Sequence, residues 1–470
     1  MVASSPPAPK LPRITFFHLD GCERQTVEPI AEEADRRGFP VEFTNRMEQR
    51  AEIGVYCQHA CRPNADFSVI MLHDLAQRHD IWPKFWQVEP WHYFDIGLVP
   101  GKTWVERWQT QADFAVARPR IGLFDLGWPK ADLVFRNRTA FAEAAATLRQ
   151  QLGLRHERSV LYAPSWENDG KQDDFVQTFI DQPVNLLLKQ APWSDDYPMV
   201  LENIERMNQL HRGCSPNVHI IDRDVSIMYC LGLADVLVSD ESSVLTEALL
   251  LDVPGVAVED WLIPDRIPSR YAEVPYDHVI KTKRADLRQT VLDVLAKPEE
   301  FRQRTFAAKH DQFSHLGQSA KAIMDTIEAA TGRLPLPYPP CTPNVALDRQ
   351  RFLEAERMMR NGRAEEGLRT FFELANANTP CWEVFNSLGV IAHGEGNIAD
   401  ATLLFETAAD RAPNPRTVLA NLIDIHCNEG QREKALVALN EYLRHTPATD
   451  QFFRAIRSMV DALEAPPSPN

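Results

Sequence analysis

The sequence predicts an α/β fold: two doubly wound, Rossmann-like domains in succession, then an all-helical domain. Three observations carry this. Apolar strand-like runs alternate with helical stretches as far as residue 330, the pattern of parallel sheets flanked by helices. The run Val236 to Leu251 reads as a buried strand that stops at a small polar turn and restarts as a helix. Beyond a proline-rich stretch, glycines recur at a fixed interval in a segment of helical periodicity.

The first domain, residues 1–150, takes its strands from Ile14 to His18, Val41 to Thr44, Ile53 to Tyr56, Phe67 to Leu72, Ile96 to Val99 and Arg120 to Phe124. The second, residues 151–332, repeats the alternation with Ser159 to Tyr162, Val218 to Ile221, Val236 to Val238 and Gly255 to Val258. Two such domains facing one another leave a cleft at the C-terminal ends of their strands, where ligands bind in these sheets. Residues 333–345 include Pro335, Pro337, Pro339, Pro340 and Pro343, a composition that stays extended and ends the preceding helix. In residues 346–464, Gly362, Gly396 and Gly430 are each 34 residues apart, the period of the tetratricopeptide repeat (TPR). Each glycine closes a first helix through a left-handed turn, and Ala401 and Ala435 follow five residues later, where neighbouring helices approach closely. Such an array stacks into a concave surface that docks a protein partner or pairs subunits. The plain alternative is a structural cap.

At 470 residues the chain exceeds one hydrophobic core. Its 44% hydrophobic and 25% charged residues are ordinary for a globular protein. A formal net charge of −16 weighs against nucleic acid or an anionic membrane as the main partner. The opening residues lack an apolar signal-like run, and no later stretch approaches the ~20 apolar residues of a membrane span. The expectation is a cytoplasmic protein, at most peripheral at the inner membrane. Eight scattered cysteines suit reduced thiols better than a disulfide framework. Cys57-Gln58-His59-Ala60-Cys61 lacks a second ligand pair at zinc-like spacing, so no metal site is expected.

The turn after Val238 is an anion site in waiting. The first N–H groups of a helix lack intrahelical partners, and the helix dipole adds positive potential there. Ser242 and Ser243 therefore offer donors to a phosphate, Asp240 leads into the turn, and Glu247 lies one turn in, placed for a ribose diol. An ordinary βα junction with a serine N-cap is the plain alternative.

Three segments resemble the CDP-glycerol glycerophosphotransferase family, the teichoic-acid and capsule polymerases of GT-B fold. Val160 to Trp166 is similar to its "LYAPTWR" signature, Ala234 to Ser243 to "aDvLItDYSS", and Gly127 to Asp132 to "GyPrnD". Gly317 to Ile323 is similar to its closing "GkaseriI" helix. The resemblance spans roughly residues 50–330. It implies a GT-B transferase that moves a polyol phosphate from a CDP-linked donor to a hydroxyl of a surface glycan or polymer. Two departures stand out: Glu167 replaces the family's Arg and Glu241 its Tyr. An acid beside a diphosphate is unfavourable unless it points away, which keeps a non-catalytic TPR scaffold among the alternatives. Ser239 to Ala248 also resembles the "DSGGvqEEa" segment of UDP-GlcNAc 2-epimerase-like proteins, in which the Glu matching Glu247 holds the ribose. A sugar transferase with a UDP or CMP donor, acting on a glycan or a TPR-docked protein, is the other alternative.

Further site candidates follow. His73 ends the strand Val69 to Leu72 near where the family carries a histidine, and an imidazole there suits a general base for the acceptor hydroxyl, with Asp74 orienting it or replacing it. His18 and Asp20 sit at the first βα turn as reserves. Pro164, Ser165 and Trp166 wall the base or phosphate, and Arg223 can meet the diphosphate. Glu89 to Phe94 has the aromatic content of an acceptor loop or of a domain interface. No glycine-rich phosphate loop and no dependable metal spacing is present. The expected transferase uses no cofactor beyond its nucleotide-linked donor.

Overall fold

A computed structural model describes residues 11–57, 62–72, 75, 86, 89–112, 115–262, 278–343, 345–446 and 453–464. The chain divides into two compact units, residues 1–111 with 116–341 and residues 342–470 with 112–115. Among the described residues no helix is long and apolar enough to cross a membrane.

The first unit holds two six-stranded sheets. The first is built from β1 (Ile14–Phe17), β2 (Val41–Thr44), β3 (Ala51–Cys57), β4 (Ala65–Met71), β5 (Ile96–Val99) and β6 (Gly122–Asp125) in the order β2-β1-β3-β4-β5-β6. The second is built from β7 (Ser159–Tyr162), β8 (Asn185–Lys189), β9 (Val218–Ile221), β10 (Val236–Ser239), β11 (Gly255–Val258) and β12 (Val279–Thr282) in the order β12-β11-β10-β7-β8-β9. Every pairing is parallel. Their inner strands are short apolar runs largely buried on both faces, as parallel sheets covered by helices require, and the edge strands β2, β6, β9 and β12 are partly exposed. Val160 and Tyr162 of β7 pack with Val236 and Val238 of β10 against Phe175, Phe179 and Val291 of the covering helices. This is the GT-B architecture of two Rossmann-like domains.

Strand order fixes where a ligand can bind. In the second sheet β7, β8 and β9 step outward one way and β10, β11 and β12 the other, so the connections diverge between β7 and β10. In the first sheet they diverge between β1 and β3. Diverging loops open a crevice beyond the strand ends. The loops that leave β7 and β10 carry Pro164 to Trp166 and Asp240 to Ser243.

The stretch 333–343 contains no helix, and the Cys341 N–H donates to the Leu123 carbonyl of β6 at 2.7 Å. The second unit is all-helical among its described residues. Val345–Arg360 precedes Ala364–Asn376, Trp382–Gly394 precedes Ile398–Arg411, and Arg416–Asn428 precedes Arg432–Arg444, with Phe453–Glu464 last. Gly362, Gly396 and Gly430 have φ of +82°, +80° and +66°, as the turns demand. Ala401 and Ala435 are buried five residues after the second and third of these glycines. Gly367 takes that place in the first pair, where a Cβ would lie 2.6 Å from the Ala355 carbonyl oxygen.

Candidate active site

The β7 and β10 loops are tied together by one carboxylate. Asp240 is fully buried and accepts the Ser165 N–H at 2.7 Å, the Trp166 N–H at 3.3 Å and the Lys171 ammonium at 2.8 Å. Lys171, also fully buried, donates its second bond to the Trp166 carbonyl at 2.9 Å. Burial alone would raise the Asp240 carboxyl, but the Lys171 charge and the loop N–H groups hold it below its ordinary value. Ser239 Oγ donates to the Ala163 carbonyl at 2.6 Å and completes the seam. Asp240 thus spends its oxygens on shaping the site, and Pro164, Ser165 and Trp166 are presented beside the serine turn.

That turn is short. Val244–Glu247 is one helical turn continued by a 3₁₀ turn over Ala248–Leu251. Ser243 is its N-cap, and the Val244 N–H donates to Ser242 Oγ at 3.3 Å. Glu247, 1% exposed, accepts Trp128 Nε1 at 3.1 Å and Lys130 Nζ at 3.0 Å, both on Oε1. Burial would lower the Lys130 ammonium, but the Glu247 charge raises it above its ordinary value. The ribose candidate is therefore already held by the segment Gly127 to Asp132.

The same segment reaches a third element. Asp132 accepts the Ser319 and Ala320 N–H groups at 3.0 and 2.9 Å and so caps the helix Ser319–Thr331. Gly127 has φ of +84°, and a side chain there would put Cβ 2.5 Å from the Ser314 carbonyl oxygen. Three of the resembling segments interlock around Lys130, Glu247 and Asp132.

Glu167 points away from the crevice. It is buried and accepts Tyr162 Oη at 2.7 Å, Gln190 Nε2 at 2.8 Å and the Gln172 N–H at 3.4 Å. Burial raises its carboxyl above the ordinary value despite those donors. Glu241 is buried as well, 1% exposed. Glu167 is therefore occupied by Tyr162, Gln172 and Gln190 and is not turned to the serine turn.

Arg223 lies in the exposed loop after β9, the outer strand of the sheet. The same loop touches a buried cation that the sequence reading missed. Lys189 ends β8 next to β7, is 4% exposed, and donates to the Gln190 and Arg223 carbonyls, each at 2.7 Å. Among the described residues no carboxylate pairs with it, and burial lowers its ammonium. An apolar run ending in lysine was the available signal.

On the facing sheet, Asp20 caps the helix Gly21–Arg36 by accepting the Glu23 N–H at 2.8 Å, and Glu23 accepts the Leu19 N–H in return. This capping box fixes the βα turn next to His18. Burial, then the Arg24 charge, lowers the His18 imidazole. Gly21 faces the second sheet's loops: a Cβ there would lie 2.9 Å from Pro192 Cβ. Cys22 is a free thiol that burial pushes up to about 12, so it stays protonated. His73 and Asp74 lie outside the described residues. Trp91 and Phe94 are fully buried, so the aromatic run after Glu89 fills the interior.

Residues 111–329 match the family model of CDP-Glycerol:Poly(glycerophosphate) glycerophosphotransferase. No curated protein matches the chain. Among solved structures, the wall teichoic acid polymerase TagF is 14% identical, covering 68% of this chain and 89% of that one, with a TM-score of 0.48. An MnaA–UDP co-structure from S. aureus is 10% identical, covering 70% and 100%, also at 0.48. UDP-GlcNAc 2-epimerase from Neisseria meningitidis bound to UDP-GlcNAc is 11% identical, covering 67% and 98%, at 0.44. The family match falls on the stretch that contains the β7 and β10 loops, Lys130 and Glu247, and on that match the protein is an enzyme of the transferase class.

Proposed function

We propose that the protein transfers a polyol phosphate from a CDP-linked donor to a hydroxyl of a cell-surface glycan or polymer. The observation that carries this is the crevice between β7 and β10, where the Ser165 loop and the Ser242–Ser243 turn meet beside two buried lysines. Serine hydroxyls and Lys189 suit a diphosphate, because buried donors and a cation with no carboxylate partner among the described residues stabilise added negative charge. Glu247 supports the site by fixing Lys130 and Trp128 through Oε1. In the reaction the acceptor oxygen forms a bond to the distal phosphorus as the bridging P–O bond breaks. CMP leaves with the electron pair, and the hydroxyl proton passes to a base, for which His73 and Asp74, which follow β4 in the sequence, are the candidates. The engagement of Glu167 by Tyr162, Gln172 and Gln190 supports this over a non-catalytic scaffold. We assign the helical unit, by its 34-residue glycine period, to docking a protein partner or a second copy.

A thermal-shift screen against CDP, UDP, CMP, GDP and ADP tests the reading. Ligand at a hundred times its Kd stabilises the native state by about 2.7 kcal/mol. CDP is expected to give the largest shift; a larger shift with UDP would make the donor a UDP-sugar, and no shift with any nucleotide would overturn the reading.

A further inference from the structure

The loop that follows Lys189 builds an aromatic ledge at the edge of the crevice. Trp193 packs edge-on against Trp166, with ring centroids 4.7 Å apart and planes at 72°. Tyr197 packs on Trp193 at 4.8 Å and 59°. These tilted contacts brace the rings against one another at the surface: Trp166 and Trp193 are half-buried, Tyr197 is 44% exposed and Met199 is 77% exposed. Tryptophan, tyrosine and, in the first turn of the helix Pro198–His211, methionine are not exposed together without cost, and such patches mark contact surfaces.

Two connections tie the ledge to the site. Trp166 belongs to the loop that Asp240 and Lys171 hold in place. Pro192, next to Trp193, is the residue that Gly21 of the facing sheet approaches so closely that a Cβ would have to be displaced. The ledge therefore lies at the boundary of the two Rossmann-like domains, beside the phosphate turn and not within it.

Charge selects the occupant. Residues 190–205 contain no lysine or arginine, while Asp195 and Asp196 flank the rings and are exposed. A carboxylate pair repels phosphate and an anionic bilayer. It accepts hydrogen bonds from hydroxyls. A ring with apolar C–H faces and an equatorial belt of hydroxyls satisfies both halves of the surface, and a nucleotide or a polyol phosphate does not. We infer that the Trp193–Tyr197 ledge, with Asp195 and Asp196, binds a neutral saccharide ring of the acceptor. This rests on the transferase reading above and adds the acceptor's class: an uncharged glycan end, in place of a phosphate-bearing chain.

The test uses the full chain, with intrinsic tryptophan fluorescence and saturation-transfer NMR against maltotriose, lactose, rhamnose and triacetylchitotriose, and calorimetry against CDP. At least one neutral saccharide is expected to bind the wild type, and Trp193→Ala and Tyr197→Ala each to weaken it about tenfold with CDP affinity within twofold. Asp195→Asn/Asp196→Asn, a surface change that leaves the rings in place, is expected to weaken the saccharide several-fold. Failure of every saccharide to bind, or loss of CDP affinity in Trp193→Ala with saccharide binding intact, would overturn the inference, the latter making the ledge a base site. Binding of phosphatidylcholine vesicles lost in Tyr197→Ala, without any saccharide effect, would overturn it in favour of a membrane contact. A wild type that binds saccharide but no nucleotide would instead break the donor reading and leave the ledge standing.

Discussion

Gly127 and Gly396 have nearly the same backbone, φ of +84° and +80°, for different reasons. Around Gly127 the space is full: Ser319, Ser314 and His315 crowd the position where a Cβ would stand. Around Gly396 nothing lies within 4 Å. The first glycine serves a knot of elements far apart in sequence, and the second serves only its own turn. The transferase unit is built from long-range polar ties, Asp240 to Lys171, Glu247 to Lys130 and Asp132 to Ser319. The helical unit is built from a local device repeated every 34 residues.

The largest effect expected from this contrast is at Asp240. Asp240→Ala leaves the Lys171 ammonium buried without its carboxylate and orphans two loop N–H groups, and should cost about 3–5 kcal/mol. Chemical denaturation followed by tryptophan fluorescence checks it; a loss below about 1 kcal/mol would show that the β7 and β10 loops are not held by this residue. Gly127→Ala comes next, at roughly 2–4 kcal/mol from the left-handed φ plus the clash with a backbone carbonyl. Gly396→Ala has only the φ term, about 1 kcal/mol. Comparing the two thermal shifts tests the contrast directly, and equal shifts would break it.

These ties explain what was legible in the sequence. Short apolar or alternating runs bounded by turn residues marked β1 to β7 and β9 to β11, because burial on both faces of the inner strands, or on one face of the edge strands, leaves that signature. β8 was not marked: Leu186-Leu187-Leu188 is a continuous apolar run without a period, and such a run reads equally as helix. β12 was not marked either, since Ile280 and Lys281 give it only half an apolar face. The serine turn was legible because a strand, a polar turn and a helix are local. That Glu247 holds Lys130, or that Glu167 turns inward to Tyr162 and Gln190, was not, because partners more than a hundred residues apart, or a side chain's direction, have no local pattern.

A pH effect sharpens the account of the first sheet's helix. Hydrogen bonds from Arg36, then Arg37, hold Glu33 down to about 2. A carboxyl whose folded value lies below its unfolded value near 4.5 contributes stability that is present above that pH and lost as pH falls toward 2. The contribution is roughly 1–3 kcal/mol, reduced by the exposure of Arg36. Glu33→Gln should therefore lower the thermal midpoint at pH 6 and lower it by much less at pH 2.5; an equal loss at both would mean the pair contributes packing alone.

The central claim is that the donor's nucleotide sits between the β7 and β10 loops and not at the sheet's outer edge. Calorimetric titration of CDP into the wild type, Ser242→Leu/Ser243→Leu, Lys189→Met and Arg223→Ala tests it most directly. The account predicts at least tenfold weaker binding in the serine double variant and in Lys189→Met, with Arg223→Ala within twofold of the wild type. Unchanged affinity in the folded serine variant together with a tenfold loss in Arg223→Ala would contradict it.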